Sequence, residues 1–138
     1  MSRARGARAS PCDAHDALVR LAHARSFLDV AELVYNDDNR EEYGNAVASL
    51  AVLAGIAASD AACCAALGQR SRSEDHHDAE NLLREVRGAG QAANDLRRLL
   101  NLKDQAHYGV IHVNAADLRA TLRHAKHLVD FADGIVRS

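Results

Sequence analysis

Apolar positions recur along this chain at alternating steps of three and four, the spacing that places side chains on one face of an α-helix. The first such run is Leu21, Ala24, Leu28, Ala31 and Tyr35. It predicts a helix opening after Pro11-Cys12-Asp13, with Asp13 as the N-cap and Asp16 in the first turn, where the helix dipole favours an acid. Asn36-Asp37-Asp38-Asn39 is a turn cluster that ends it. A second and longest helix is expected over residues 40–67. Tyr43, Val47, Leu50, Ala54, Ala57, Ala61 and Cys64 run down one side of it, and Leu53, Ile56, Cys63 and Leu67 down the adjoining side. So wide a face suits a helix touched from several directions. Its small residues permit close approach, at a bundle centre or at the seam of a homodimer, and this helix is the expected seam. Gly68 is the expected C′ residue.

A polar connector over residues 69–75 leads to a third helix from near Asp75, carrying Leu82, Leu83 and Val86, and Gly88-Ala89-Gly90 breaks it. A fourth stretch over residues 91–106 holds Leu96, Leu99, Leu100 and Leu102, and Tyr108-Gly109 opens a short connector. Asn114 then caps a last helix, with Asp117 at N3 and a stripe of Leu118, Leu122, Ala125, Val129, Ala132 and Val136. With no internal repeat and short linkers, the pattern predicts an all-α fold. It is one bundle of four to five helices over residues 13–137, preceded by a flexible basic tail over residues 1–12.

Composition agrees with this and narrows the partners. At 138 residues the chain is one domain long, and 48 % hydrophobic residues suffice for one modest core. Nineteen acids against seventeen bases exclude a strongly basic nucleic-acid-binding domain, so any RNA contact must come from a local patch. The tail arginines Arg3, Arg5 and Arg8 could touch phosphate, but a disordered tail is the favoured account of them. Cys63 and Cys64 are adjacent on a helix and diverge by about 100°. With Cys12 left in the tail, no useful staple is implied, and a reducing cytoplasm is the expected location. No run of 18 apolar residues suggests a transmembrane helix, and no apolar segment follows the charged start as in a signal peptide.

Four places carry candidate chemistry. Asp60 lies between Ile56 and Cys63 on an otherwise apolar face, so it must bond to another helix or line a wet cleft. Arg70-Ser-Arg-Ser-Glu-Asp-His-His-Asp places Arg70 and Arg72 beside His76 and His77 at the start of the third helix. That suits phosphate binding and proton transfer near neutral pH, or a capped helix start with solvated side chains. Late in the fourth helix, Arg98, Asn101 and Gln105 cluster on one side, and Lys103 and His107 share a face. There Lys103 could hold a phosphate while His107 acts on a ribose 2′-hydroxyl and Tyr108 donates or stacks, although a Lys and a His also suit a helix C-terminus. Finally, His124 and His127 have a metal-like spacing, but no Cys or Glu completes a site, and they are expected to be surface histidines. No cofactor loop, nucleophile elbow or activated cysteine appears.

Some of these segments share an order seen elsewhere. The second helix ends in Ala-Leu-Gly and is followed by Asp75-His76-His77-Asp78-Ala-Glu-Asn-Leu-Leu. A further helix ends in Lys103-x-x-Ala-x-Tyr108. Over roughly Phe27 to Ala132 this resembles the HEPN domain family, in particular small stand-alone actinobacterial-type members. The resemblance implies an up-and-down helical bundle, often a homodimer with its cleft along the interface. Active members of the family are metal-independent ribonucleases carrying an Arg, four to six residues, then a His. Others bind nucleotides or partner a nucleotidyltransferase or an antitoxin. Arg70 and His76 have that spacing but precede the third helix, whereas the pair usually lies near the start of the last. Lys103, three residues and His107 stand at the later position. The resemblance therefore implies action on RNA or a nucleotide, in a toxin–antitoxin or defence setting. Its catalytic candidates are His76, His107, Lys103, Tyr108 and Asp60, and its phosphate-binding candidates Arg70, Arg72 and Arg98. No metal is implied. The alternatives are a binding module and a purely structural helical dimer.

Overall fold

The structure, a computed structural model, describes residues 9–37, 42–72, 76–108 and 113–138; at positions 76 and 105–108 it describes the backbone alone. Among these residues the elements run β1 (Ala9–Pro11), α1 (Ala14–Tyr35), α2 (Gly44–Leu67), β2 (Gln69–Ser71), α3 (His76–Arg84), α4 (Gly90–Tyr108) and α5 (Ala115–Arg137). The described residues are 81 % helical, so the all-α expectation holds, with one small sheet added.

The helix ends follow from local chemistry. At α1 the Asp13 side chain accepts the Asp16 N–H at 2.8 Å while the Asp16 carboxylate accepts the Asp13 N–H at 3.0 Å. Two of the helix's orphan donors are thereby satisfied reciprocally. At α5 the Asn114 side chain accepts the Asp117 N–H at 2.8 Å, as expected. Gly68 closes α2 with φ +70°, the left-handed conformation that only glycine adopts without strain. Asp75, near which the third helix is expected to start, lies outside the described residues, as do Arg40 and the turn residues Asp38 and Asn39. Described α2 starts at Gly44.

Helix α2 is the centre of the bundle. Val47, Ala51, Ala54, Ala57, Ala58, Ala61 and Ala62 all have no exposed surface, and α1, α4 and α5 pack around them. The approach is close at Gly55, where a Cβ would collide with Leu99 of α4 and touch Leu128 of α5. Of the two roles expected for these small residues, the structure shows the bundle centre, because they are covered by the helix's own neighbours. The helix is also long and apolar enough to cross a membrane, but 67 % of its apolar window is buried inside the protein, as befits a core helix.

Val113, just before α5, lies against Gly44 at the start of α2, whereas Cys12, just before α1, bonds to Gly68 at its end. Helices α1 and α4 therefore run against α2, and α5 runs with it, an up-and-down arrangement with α3 as an extra short helix. Arg84 of α3 donates to Glu80 and to Asn94 of α4, both at 2.8 Å. Arg25 of α1 and Arg137 of α5 share Asp133.

Two expectations about the N-terminal segment are corrected. Residues 9–12 do not belong to a flexible tail, since β1 pairs antiparallel with β2 in the register Ala9↔Ser71, Ser10↔Arg70, Pro11↔Gln69. The cysteines do form a staple, joining Cys12 to Cys64 across 52 positions, with Cys63 free and buried. Strand pairing brings Cys12 back over the end of α2, a contact that one-dimensional spacing does not reveal. The cysteine argument for a reducing compartment therefore falls, because disulfides persist where the surroundings are oxidising.

Candidate functional site

The most demanding polar group lies between α4 and α5. Asp95 is 0 % exposed, on the side of α4 that faces α5. Its Oδ1 meets His124 Nδ1 at 2.7 Å and accepts a longer bond, 3.4 Å, from Gln91 Nε2. A carboxylate can only accept, so the proton of that short contact sits on His124 Nδ1, and Nε2 carries the lone pair when the ring is neutral. The second oxygen, Oδ2, is buried with no hydrogen-bond partner, and His127 Nδ1 stands 3.9 Å from it. The side chain of His124 is 24 % exposed and that of His127 53 % exposed, so both rings reach solvent while their Nδ1 atoms turn towards one buried acid.

The expectation of two surface histidines is thus corrected for His124, which is half-buried and anchored. It stands at the margin of the helix's buried stripe, and its partner lies on another helix. Arg98 stands three residues after Asp95 on α4, and Arg119 and Arg123 lie on α5. All three arginines are exposed and make no ion pair among the described residues. Their guanidinium groups are free to meet an anion. Arg119 and His124 are separated by four residues on the last helix.

A second polar cluster surrounds Asp60 on α2. Arg20 of α1 approaches its Oδ2 through Nε and Nη2, both at 3.1 Å, and Arg70 of β2 through Nη1 at 3.6 Å. Arg20 Nη1 also meets His23 Nδ1 at 3.1 Å. Burial pushes the Asp60 carboxyl above the ordinary carboxylate value, and the two arginines pull it only part of the way back. Asp60 therefore acts as the tie between α1, α2 and β2. Burial, and then the charge of Asp60, push the neighbouring Cys63 thiol up to about 12, which leaves it protonated and unreactive near neutral pH.

The remaining sequence candidates that are described lie apart from one another. Arg70 is engaged at Asp60, and Arg72 is exposed just past β2. Lys103 is exposed on α4, whereas the side chains of His76, His107 and Tyr108 lie outside the described residues. Asp60 is not brought to the far end of α4, because Val113, five residues past that end, lies against Gly44, sixteen residues from Asp60 along α2. That separation is about 24 Å of helix. Among the described residues, no group of three or more His, Cys, Asp or Glu side chains is arranged to hold a metal ion.

Sequence reasoning missed Asp95, although the signal was present. Ala92, Leu96 and Leu99 form the buried stripe of α4, and Asp95 stands inside it, as Asp60 stands inside that of α2. No protein-family model, curated protein or solved structure matches the chain.

Proposed function

We propose that this chain is a HEPN-like helical protein that acts on RNA at the α4–α5 seam, cleaving the strand by attack of a ribose 2′-hydroxyl. One observation carries the reading: a fully buried carboxylate, Asp95, holds the half-exposed imidazole of His124 by a 2.7 Å contact. Such an acid has no packing value of its own, and burying it unpaired is costly. What it accomplishes is to fix the tautomer and direction of a partly exposed ring, which is how a general base is prepared.

In this reading His124 Nε2 takes the 2′-hydroxyl proton, and Asp95 is its positioning residue. Arg98, Arg119 and Arg123 supply exposed guanidinium donors for the phosphates on either side. The resemblance to HEPN proteins is consistent with the reaction class. The Arg119–His124 spacing on the last helix now takes the place that Arg70–His76 and Lys103–His107 held in the sequence reading.

The test is incubation of the purified chain with end-labelled single-stranded RNA in the presence of chelator. Cleavage by the wild type, leaving 2′,3′-cyclic phosphate ends, and its loss in H124A and D95N are expected. Absence of cleavage by the wild type, or undiminished cleavage by H124A, would overturn the nuclease reading. Binding without cleavage would assign the seam to a non-catalytic nucleotide- or RNA-binding module.

A further inference from the structure

We infer that His127 is a second catalytic residue of this seam, the proton donor to the leaving group, and that Asp95 serves both histidines at once. The inference rests on the nuclease reading above and extends it. Asp95 divides its two oxygens unequally. Oδ1 is taken by His124 and Gln91, whereas Oδ2 is buried, without a partner, and 3.9 Å from His127 Nδ1. A buried carboxylate oxygen left without a donor is rare in native proteins and calls for an explanation. The only titratable group that faces it among the described residues is His127, whose ring is half in solvent and free to turn. A shift of under an ångström brings Nδ1–H into hydrogen-bond range of Oδ2.

Both rings would then be held through Nδ1 by the same acid, with both Nε2 atoms pointing outward. Their side chains spring from positions three apart on α5, so their Cβ atoms lie about 5–6 Å apart. Strand cleavage by a 2′-hydroxyl needs two proton transfers at one phosphorus, one to a base and one from an acid, and the two rings can divide these roles. His124 Nε2 accepts the proton of the 2′-hydroxyl as the 2′-oxygen forms its bond to phosphorus. The bond from phosphorus to the 5′-oxygen breaks, and His127, entering as the imidazolium, gives its Nε2 proton to that oxygen. The products are a 2′,3′-cyclic phosphate and a free 5′-hydroxyl. Solvent exposure lets both histidines exchange protons with water before the next turnover. The groups beside the pair are Gln91 and Arg98 on α4 and Arg123, Lys126 and Asp130 on α5; Lys126 and Asp130 are paired with each other at 3.9 Å.

The experiment compares two substrates that differ in whether the leaving group needs a proton. One is a short RNA, whose 5′-alkoxide leaves poorly unless protonated. The other is uridine 3′-(4-nitrophenyl phosphate), whose nitrophenolate leaves without one. H127A is expected to lose about 10²-fold or more on RNA and to stay near wild type on the nitrophenyl ester, which is the signature of a missing general acid. H124A and D95N should lose both substrates. His127 is more than half exposed, so circular dichroism and melting of H127A should match wild type. Undiminished RNA cleavage by H127A, or equal losses on the two substrates, would overturn the assignment of His127 and leave His124 standing. A wild type that cleaves neither substrate overturns the nuclease reading itself, and the role of His127 with it.

Discussion

Asp95 and Asp60 are the two buried acids of the described structure, and they are solved differently. Asp60 has two guanidinium partners on one oxygen and joins three elements. Asp95 has one imidazole, one distant amide and an oxygen without a partner. An unsatisfied buried acceptor costs about 1–3 kcal/mol. An acid retained at such a cost for structure alone would be a poor choice, so Asp95→Asn separates the alternatives. Its stability in urea should equal or exceed that of wild type while RNA cleavage is lost; a loss of several kcal/mol with activity preserved would make Asp95 structural. For Asp60 the direction of its titration gives a second prediction. Its carboxyl lies above the ordinary value of 3.8 in the folded chain. The folded state therefore binds this proton more tightly than the unfolded chain does. Its contribution is fully present below 3.8 and is lost as pH rises through the folded value. Across that window the stability of wild type relative to Asp60→Asn should fall, and urea midpoints that run parallel for the two proteins from pH 3 to 7 would refute it. Both acids were legible in principle as charges inside apolar stripes. Asp60 stood out between Ile56 and Cys63, whereas Asp95 was lost among the polar residues that surround Leu96, and its partner on α5 is 29 positions away.

The helices could be read because their signals are local. The capping residues Asp13 and Asn114 and the left-handed Gly68 each act within a few positions of themselves, and the structure places all three as the pattern predicts. The strand pair β1–β2 could not be read in the same way. Three residues including a proline carry no strand signal, and the partner lies some sixty positions on. The disulfide follows from that pairing. Closing a loop of 52 positions removes about 4 kcal/mol of chain entropy from the unfolded state in the polymer estimate, and measured values are often smaller. Cys12→Ser is thus expected to lower stability by about 2–4 kcal/mol, while circular dichroism retains the helices. A thiol count by alkylation and mass spectrometry tests the arrangement directly. The native protein purified without reductant should take up no label, because the one free thiol is Cys63, buried and pushed up to about 12. Unfolding should admit one label and reduction three. Labelling of Cys12 or Cys64 before reduction would remove the staple.

For the whole molecule, the net charge of −2 and the bundle's organisation around an apolar α2 leave little surface for a broad cationic face. Several of its bases are committed to neighbours: Arg20 and Arg70 to Asp60, Arg84 and Arg97 to Glu80, Arg25 and Arg137 to Asp133. Around the α4–α5 seam, Arg98, Arg119 and Arg123 are exposed and unpaired among the described residues. RNA held there would have few of its phosphates neutralised, and each neutralised phosphate of a single strand contributes about 0.7 to the slope of log affinity against log salt. Three contacts predict a slope of about −2, with each arginine-to-glutamine change at these positions reducing it by about 0.7. Titration of a fluorescent oligonucleotide with H124A, which should bind without cutting, measures this across a range of salt. A slope of about −5 or steeper would require roughly seven phosphate contacts, more than the seam offers, and would move the RNA-binding surface elsewhere on the molecule. A shallow slope carried by Arg98, Arg119 and Arg123 would place the strand against the histidines that Asp95 holds.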